Sequence, residues 1–351
     1  MTPLELYQKR LQTERIPQSL ITDPVSIHYL IHQFFDVGER FIALCLYADR
    51  PPVLLLNKLF TPNPDPDFTL QVINDADAVI DRLTQVLQDG ELAVDGHMES
   101  RYLLDLQATQ RYHCFNGSWL IDRQRAIKSP AEQEMMRIAS RKNDTIMGKV
   151  RAYIHEGMSE QELAARIMEW QAEDGLSGCS FEPIVSINAN IADPHATPTD
   201  KKLQPKDTLV VDMGGIYQGF NSDMTRTFYF RTAPEPLYEI CLRANLAGIA
   251  AVKPGATFAD VDGAARQVIE DAGYGAYFVH RTGHGIGQSV HEPYDVSASN
   301  HAKIEPGMIF SIEPGIYLPG QTGVRIEDLV IATETGVEVL NDYPKDNPVI
   351  Q

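Results

Sequence analysis

The chain has 351 residues, of which 43% are hydrophobic and 22% charged, and its formal net charge is −18. This length and composition fit one large or two ordinary globular domains, and no apolar run approaches the ~18–20 residues that span a bilayer. The negative charge argues against nucleic acid as a partner, because phosphate binding needs clustered lysine and arginine.

The amino-terminal stretch MTPLELYQKRLQTERI is polar and helix-like and contains no apolar signal region, so export is not expected. The four cysteines, at positions 45, 114, 179 and 241, show no C-x-x-C spacing. They therefore indicate neither a disulfide framework nor a cysteine zinc site. A cytoplasmic protein without a membrane partner is predicted.

Residues 1–125 are predicted to form a mixed α/β domain. Hydrophobic periodicity and turn residues indicate two strands on either side of Asp49–Pro52 and a further strand at 91–95. Helical patterns cover residues 4–14, 76–88 and 100–110. The sequence of this part shows no cluster of candidate catalytic or metal-binding residues.

The second predicted domain covers residues 126–351, and the boundary is expected between Asp122 and Lys128. Ser129-Pro130-Ala131-Glu132 has the form of a capping box with proline at the first helical position. Helices are predicted from there, at 161–173, at 236–252 and at 256–273. Strands are predicted within 181–190, 207–215, 221–230, 277–282, 308–314, 324–333 and 337–341. Two helix pairs over strands that do not alternate regularly with helices predict an α+β fold.

The segment HRTGHGIGQSVHE, residues 280–292, contains three of the ten histidines in the chain. Four carboxylates elsewhere stand in apolar, strand-like runs, where burial is costly unless the group is paired or binds a cation. They are Asp212, Asp223, Glu313 and Glu327. The glycines between Asp212 and Asp223 fit a tight hairpin that brings the two aspartates together.

Four carboxylates and the imidazole of His284 form a hard, oxygen-rich ligand set. Such a set suits a pair of divalent ions better than a single structural zinc, and two ions can share a bridging hydroxide that attacks a carbonyl. The alternative is that each carboxylate is paired with Arg226, Arg325 or a helix N-terminus. That alternative is reasonable for one carboxylate and much less so for all four.

Five motifs of this chain resemble, in order and spacing, those of the pita-bread metallopeptidases, and within them prolidase and aminopeptidase P. The motifs are HATP (195–198), VVDMGG with NSDMTRTF, HRTGHGIGQSVHE, IEPGIY and GVRIED. The resemblance is strong over residues 126–351. It is weaker over residues 1–125, which are similar to the creatinase/prolidase amino-terminal domain. It implies a catalytic pita-bread domain preceded by a smaller domain of that type.

The resemblance also implies roles for single residues. Asp212 would bind one metal ion and His284 with Glu313 the other, while Asp223 and Glu327 would bridge both. Glu313, His195 and His291 would be catalytic, with Glu313 as the proton shuttle. The substrate-binding positions would be His195, His280, His291, Tyr317 and Arg325. Thr225 is a further residue expected to orient a metal ligand.

The implied activity is hydrolysis of the X-Pro bond in dipeptides or short peptides by attack of a metal-bridging hydroxide. Mn²⁺ or Co²⁺ is expected as the metal, with Zn²⁺ or Fe²⁺ also compatible, and proline-containing peptides and a homodimeric partner are expected. The alternatives are a methionine-type or broader aminopeptidase of the same fold and a non-catalytic peptide-binding module. The second alternative predicts loss of one or more metal ligands, and none is missing.

Overall fold

The computed structural model describes residues 1–63 and 67–351, which divide into two compact units, 1–125 and 126–351. Every helix in these residues is too short or too polar to span a bilayer. The predicted α+β layering is confirmed: each unit packs helices against its own sheets.

The first unit is built on a six-stranded mixed sheet with the strand order β4-β3-β2-β1-β5-β6. Its elements are α1 (Pro3–Glu14), β1 (Gln18–Ile21), α2 (Pro24–Ile31), β2 (Ala43–Tyr47), β3 (Val53–Asn57), β4 (Thr69–Ile73), α3 (Val79–Val86), β5 (Gly90–Val94), α4 (Ser100–Ala108), β6 (Tyr112–Asn116) and α5 (Ser118–Ala126). Strand side chains alternate between two cores. Leu44 and Leu46 belong to the core that includes α1 and α2, whereas Cys45 and Tyr47 belong to the core that includes α3 and α4.

The second unit contains two larger sheets, each covered by a helix pair. Its helices are α6 (Pro130–Tyr153), α7 (Glu160–Glu173), α8 (Pro236–Ala251) and α9 (Phe258–Asp271). Its strands are β7 (Ile184–Ile187), β8 (Thr208–Met213), β9 (Ile216–Tyr217), β10 (Phe220–Asn221), β11 (Met224–Phe230), β12 (Gly283–Gly285), β13 (Glu292–Val296), β14 (Ile309–Ile312), β15 (Gly315–Leu318), β16 (Thr322–Arg325), β17 (Asp328–Ala332), β18 (Val337–Val339) and β19 (Val349–Ile350). Helices α6 and α7 pack on the sheet β19-β11-β8-β7, and α8 and α9 pack on the sheet β13-β12-β14-β17-β18.

The predicted capping box at the start of α6 is confirmed. Ser129 Oγ accepts from the backbone N of Glu132, and the Glu132 carboxylate accepts from the backbone N of Ser129. These contacts satisfy two donors at the helix terminus, which has no carbonyl partners of its own. The helix therefore begins at Pro130, as the sequence predicts.

The predicted strand over residues 277–282 is wrong. A 3-10 turn covers Gly275–Tyr277, and the next strand, β12, begins only at Gly283. The carbonyl groups of Phe278 and His280 accept hydrogen bonds from the guanidinium of Arg266 on α9, at 3.2 and 2.9 Å. The Arg266 side chain therefore makes the hydrogen bonds that a neighbouring strand would make. An alternating pattern of apolar residues does not distinguish these two kinds of backbone partner.

The predicted strand over residues 324–333 is interrupted at Ile326–Glu327, where the chain passes from β16 to β17 in another sheet. The backbone N of Glu327 donates to the carbonyl of Thr225 (3.2 Å). The backbone carbonyl of Glu327 accepts from Nη1 of Arg226 (2.6 Å). The break therefore holds Glu327 beside β11 rather than within a ladder.

Candidate active site

The four predicted carboxylates and His284 line one cavity of about 570 Å³ in the second unit. Each lies in, or one or two residues from, a strand of the two larger sheets. Asp212 is in β8, Asp223 precedes β11, His284 is in β12, Glu313 follows β14 and Glu327 separates β16 from β17. All are buried except Glu313, which is half-buried. The structure thus brings together residues more than 100 positions apart.

The hairpin β8–β11 positions the two aspartates as predicted. Met224 pairs with Met213 and Thr225 with Asp212, so Asp223 lies just beyond the end of the ladder. Close backbone approach is required here, since a Cβ at Gly214 would lie 1.9 Å from the carbonyl oxygen of Ser222. On the other sheet a Cβ at Gly283 would lie 1.9 Å from the carbonyl oxygen of Ser311. Glycine therefore lets His284 lie against β14.

One ligand atom from each of Asp223, His284 and Glu327 lies within 4.8 Å of the other two. His284 Nε2 is 3.7 Å from Oδ2 of Asp223 and 3.5 Å from Oε1 of Glu313. His284 Nδ1 lies 3.0 Å from the carbonyl oxygen of Gly285, which can only accept, so Nδ1 carries the proton. Burial lowers the pKa of His284 to about 3, so the ring is neutral. Its Nε2 lone pair therefore points toward the carboxylates, as a metal ligand requires.

The carboxylates are electrostatically unfavourable as they stand. Burial, followed by repulsion from Glu327, Asp212 and Glu313, raises the pKa of Asp223 well above its usual range. Burial and the neighbouring carboxylates raise the pKa of Glu327 in the same way. Three buried oxygens have no hydrogen-bond partner: Asp212 Oδ1, Asp223 Oδ1 and Glu327 Oε1. Unpaired buried oxygens that repel one another fit a divalent cation, which supplies the missing charge and accepts their lone pairs.

The alternative of carboxylate pairing holds for only part of the set. Arg325 Nη2 donates to Oδ2 of Asp212 (2.7 Å), which leaves Oδ1 of that carboxylate for another contact. Arg226 bonds instead to Oδ1 of Asp328 (2.8 Å), outside the predicted set. Asp223 and Glu327 have no salt bridge to a lysine or arginine among residues 1–63 and 67–351. The pairing alternative therefore does not account for the cluster.

Several neighbouring groups fix the orientation of these candidate ligands. Thr225 Oγ1 donates to Oε2 of Glu327 (2.8 Å), a contact of the kind expected for Thr225. Ser311 Oγ donates to Oε1 of Glu313 (3.2 Å) and accepts from the backbone N of His284 (3.0 Å). Ser311 was not predicted, although its spacing of two residues from Glu313 along a strand would have placed both on one face.

His280, Tyr317 and Arg325 form a chain of hydrogen bonds beside the cluster. His280 Nδ1 donates to the carbonyl of Arg281 (2.6 Å), and its Nε2 accepts from the hydroxyl of Tyr317 (2.8 Å). The Tyr317 oxygen accepts in turn from Nη1 of Arg325 (2.9 Å). Both ring nitrogens of His280 are thus engaged within the protein. Tyr317 is 2% exposed and is not among the described residues that line the cavity.

His195, His280 and His291 all line the cavity, but His195 and His291 are exposed whereas His280 is half-buried. The ring of His291 packs edge-on against that of His284, with 4.2 Å between the centroids. The cavity also has lining residues that were not predicted: Phe181, Glu182, Ile184, Arg281 and Val290. Arg281 stands within the histidine motif, where a cation among glycines could have been noticed. The apolar residues carry no comparable signal in the sequence.

Comparisons with known proteins agree with this geometry. Residues 134–334 match the family described as metallopeptidase family M24. The chain is 34% identical over 357 aligned residues to an uncharacterised peptidase of Staphylococcus epidermidis, with 98% of this chain and 100% of that protein covered. It is similar to the solved structure of dipeptidase PepE from Mycobacterium ulcerans, with 34% identity, a TM-score of 0.91 and coverage of 99% and 97% of the two chains. It is also similar to the Xaa-Pro dipeptidase of Bacillus anthracis, with 27% identity, a TM-score of 0.87 and 99% of each chain covered.

Proposed function

The chain belongs to metallopeptidase family M24, and we propose that it hydrolyses the X-Pro bond of dipeptides or short peptides with two divalent metal ions. The chain is a metallopeptidase of the prolidase branch with the pita-bread fold. One observation carries the finer proposal: four carboxylates and one neutral imidazole converge on a single cavity. A non-catalytic binding module would have no need of this costly arrangement.

The donor set favours the metal arrangement implied by the resemblance. Asp212 would hold one ion, His284 and Glu313 the other, and Asp223 and Glu327 both. Bound divalent ions would polarise the scissile carbonyl and make a water molecule nucleophilic at neutral pH. Carboxylate oxygens and one imidazole suit Mn²⁺ or Co²⁺ and accommodate Zn²⁺ or Fe²⁺.

The residues of the chain supply positioning and proton transfer. The Glu313 carboxylate lines the cavity with Oε1 held by Ser311, so it is placed to take a proton and return it to the leaving amine. His195 and His291 reach the cavity from separate loops, where an imidazole N–H can stabilise negative charge on the substrate carbonyl oxygen. His280 holds Tyr317 and Arg325, and Arg325 orients Asp212.

The preference for short X-Pro peptides is supported by the relatives. One similar structure is described as a dipeptidase and another as an Xaa-Pro dipeptidase, and each covers nearly the whole chain. A cavity of about 570 Å³ is of the size that encloses small ligands. A methionine-type aminopeptidase remains the alternative within the fold, and a substrate panel separates the two.

The test uses the full chain stripped with a chelator and reconstituted separately with Mn²⁺, Co²⁺, Zn²⁺ and Fe²⁺. Ala-Pro, Ala-Pro-Ala, Ala-Ala and Met-Ala-Ala are the substrates. We expect hydrolysis of Ala-Pro or Ala-Pro-Ala that depends on metal and reaches its maximum near two ions per chain. Preferred cleavage of Met-Ala-Ala would support the alternative, and X-Pro activity that survives complete metal removal would overturn the proposal.

A further inference from the structure

Glu160, the first residue of α7, has a carboxylate with no exposure to solvent. It accepts hydrogen bonds from the backbone N of Ile187 (2.7 Å) and from both the backbone N (2.8 Å) and Oγ1 (2.6 Å) of Thr199. Nδ2 of Asn190 lies 2.9 and 3.1 Å from its two oxygens. Hydrogen bonds to a charged acceptor are among the stronger ones, and a buried carboxylate needs them.

All of these donors belong to residues 187–199, a segment called the His195 loop below. The loop begins at Ile187, the last residue of β7. Glu160 contacts its first residue, Ile187, its last residue, Thr199, and also Asn190 between them. Pro194, His195, Ala196, Thr197 and Pro198 from this loop line the active-site cavity. Glu160 itself is not among the described residues that line it, so it has no direct access to a substrate.

Near its start the loop is also held by Asn188, whose side chain donates to Oδ1 of Asp207 (2.6 Å) and accepts from the backbone N of Thr208 (2.8 Å). Two side-chain contacts lie next to His195. The Asp193 carboxylate accepts from the backbone N of His195 (3.0 Å), and the carbonyl of Pro194 accepts from Nη1 of Arg325 at 3.4 Å. His195 is exposed, so packing contributes little to its placement. The position of its imidazole therefore depends on how tightly the loop ends are held.

We propose that Glu160 is a positioning residue for the reaction, acting through His195 by holding the two ends of the His195 loop together. The inference rests on the proposed function, because it needs His195 to contact the substrate. Displacement of a reacting group by about 1 Å can cost about 100-fold in rate, so a carboxylate outside the cavity can control turnover.

Glu160→Gln is the informative change. It replaces one acceptor oxygen with an amide NH₂ that faces donors, so at least one of these hydrogen bonds is lost. The fold should survive, because the backbone N of Gln161 donates to the carbonyl of Thr199 (3.0 Å) and keeps α7 attached to the loop end. The five candidate metal ligands lie on other segments, so metal content should not change.

Glu162→Gln is the matched control. Glu162 lies in the same helical turn, and its carboxylate accepts from the hydroxyl of Tyr153 (2.7 Å) rather than from the His195 loop. We expect E160Q to lower kcat for Ala-Pro about tenfold or more with unchanged metal content, and E162Q to stay within about twofold of wild type. Wild-type kcat in E160Q would overturn the inference.

A double-mutant cycle with His195→Ala separates positioning from a general structural effect. If Glu160 acts through His195, E160Q should cause no further loss in the H195A background. Full additivity would overturn the inference. Full activity of H195A alone would overturn it together with the role of His195, while metal-dependent hydrolysis would stand.

Hydrogen exchange over residues 187–199 provides a readout that does not need activity. We expect faster exchange there in E160Q than in E162Q, with no change in β8 and β14. Unchanged exchange would overturn the anchoring itself, even if no peptide substrate were cleaved. If E160Q fails to fold, Thr199→Val removes the Oγ1 donor to Glu160, together with the bonds that Oγ1 accepts from Lys201 N (3.2 Å) and Asn190 Nδ2 (3.4 Å). It should shift kcat and exchange in the same directions by smaller amounts.

Discussion

Thr225 and Glu327 form a directed contact in which the hydroxyl donates to one carboxylate oxygen and leaves the other without a hydrogen-bond partner. The Oγ1–Oε2 distance is 2.8 Å, and Oε1 is the buried unpartnered atom. Thr225 Oγ1 also accepts from Nε of Arg325 (3.1 Å), so its single proton must go to Glu327. The contact thus leaves Oε1 as the oxygen that would hold a metal ion under the proposed function.

Thr225→Val should weaken metal binding about tenfold or more, because a group that orients a ligand typically contributes 10–100-fold to affinity. Thr227→Val is the control, since Thr227 lies on the same face of β11 as Thr225 and, among the described residues, its Oγ1 bonds only to the backbone of Arg325. Competition titration with a chelator gives both affinities. Equal affinities in the two variants would show that the hydroxyl does not orient Glu327.

Metal removal should lower the melting temperature of the protein. Asp223 and Glu327 repel each other in a buried site, and a cation that binds only the folded state stabilises it by about 2.7 kcal/mol at 100 times its Kd. Differential scanning calorimetry of chelated and reconstituted protein measures the shift. Asp223→Asn should lose most of the metal-dependent shift, and an undiminished shift in that variant would place the metal elsewhere.

The convergence of the four carboxylates was predictable from the sequence because each stands in an apolar run, where a carboxylate is conspicuous. The hairpin between Asp212 and Asp223 was predictable for a local reason, since glycines separate two short strands. The partners of Arg226 were not predictable. It bonds to Asp328 and to the carbonyl of Tyr343, both more than 100 residues away, and no local pattern encodes such pairs.

The extent of single strands was also beyond sequence reasoning. Residues 324–333 read as one apolar strand, yet the chain changes sheets at Glu327. Residues 277–282 read as a strand, but the carbonyls of Phe278 and His280 bond to Arg266. In both places an arginine side chain from another element bonds to the backbone carbonyls. Periodicity reports which side chains are buried and does not report what the backbone pairs with.

Asp144 on α6 should make stability depend on pH. Its oxygens accept from the backbone N of Asp342 (2.8 Å) and Tyr343 (3.1 Å), but burial outweighs these bonds and raises its pKa to about 6. An unfolded aspartate has a pKa of about 3.9, so the folded state binds the proton more tightly. Its stabilising contribution is therefore complete below about pH 4 and lost as pH rises through 6.

Asp144→Asn removes this titration, so the stability of wild type relative to the variant should fall between pH 4.5 and pH 7.5. Urea denaturation of both proteins at the two pH values measures the difference. Asp105→Asn, at an exposed helical position in the first unit, is the control and should follow wild type. A difference between wild type and D144N that is constant with pH would contradict the assignment.

Lys128 and Glu292 form an ion pair of 2.8 Å in which each side chain is only 2% exposed. Glu292 follows His291, and in the sheet it lies opposite Gly285, the residue after His284. The ion pair therefore stabilises the turn between the two histidines. Gly287 accommodates it, because a Cβ there would lie 2.9 Å from Cε of Lys128 and from Oε1 of Glu292.

Lys128→Met should destabilise the fold by about 3–5 kcal/mol, because it removes the ammonium group 2.8 Å from the buried Glu292 carboxylate. Adding Glu292→Gln should restore much of that stability, since both charges of the pair are then removed. Urea denaturation of wild type, both single variants and the double variant measures the coupling free energy. Additive losses would show that the pair has no specific coupling. If the double variant is stable but turns over Ala-Pro slowly, the pair serves the placement of His291 rather than the stability of the fold.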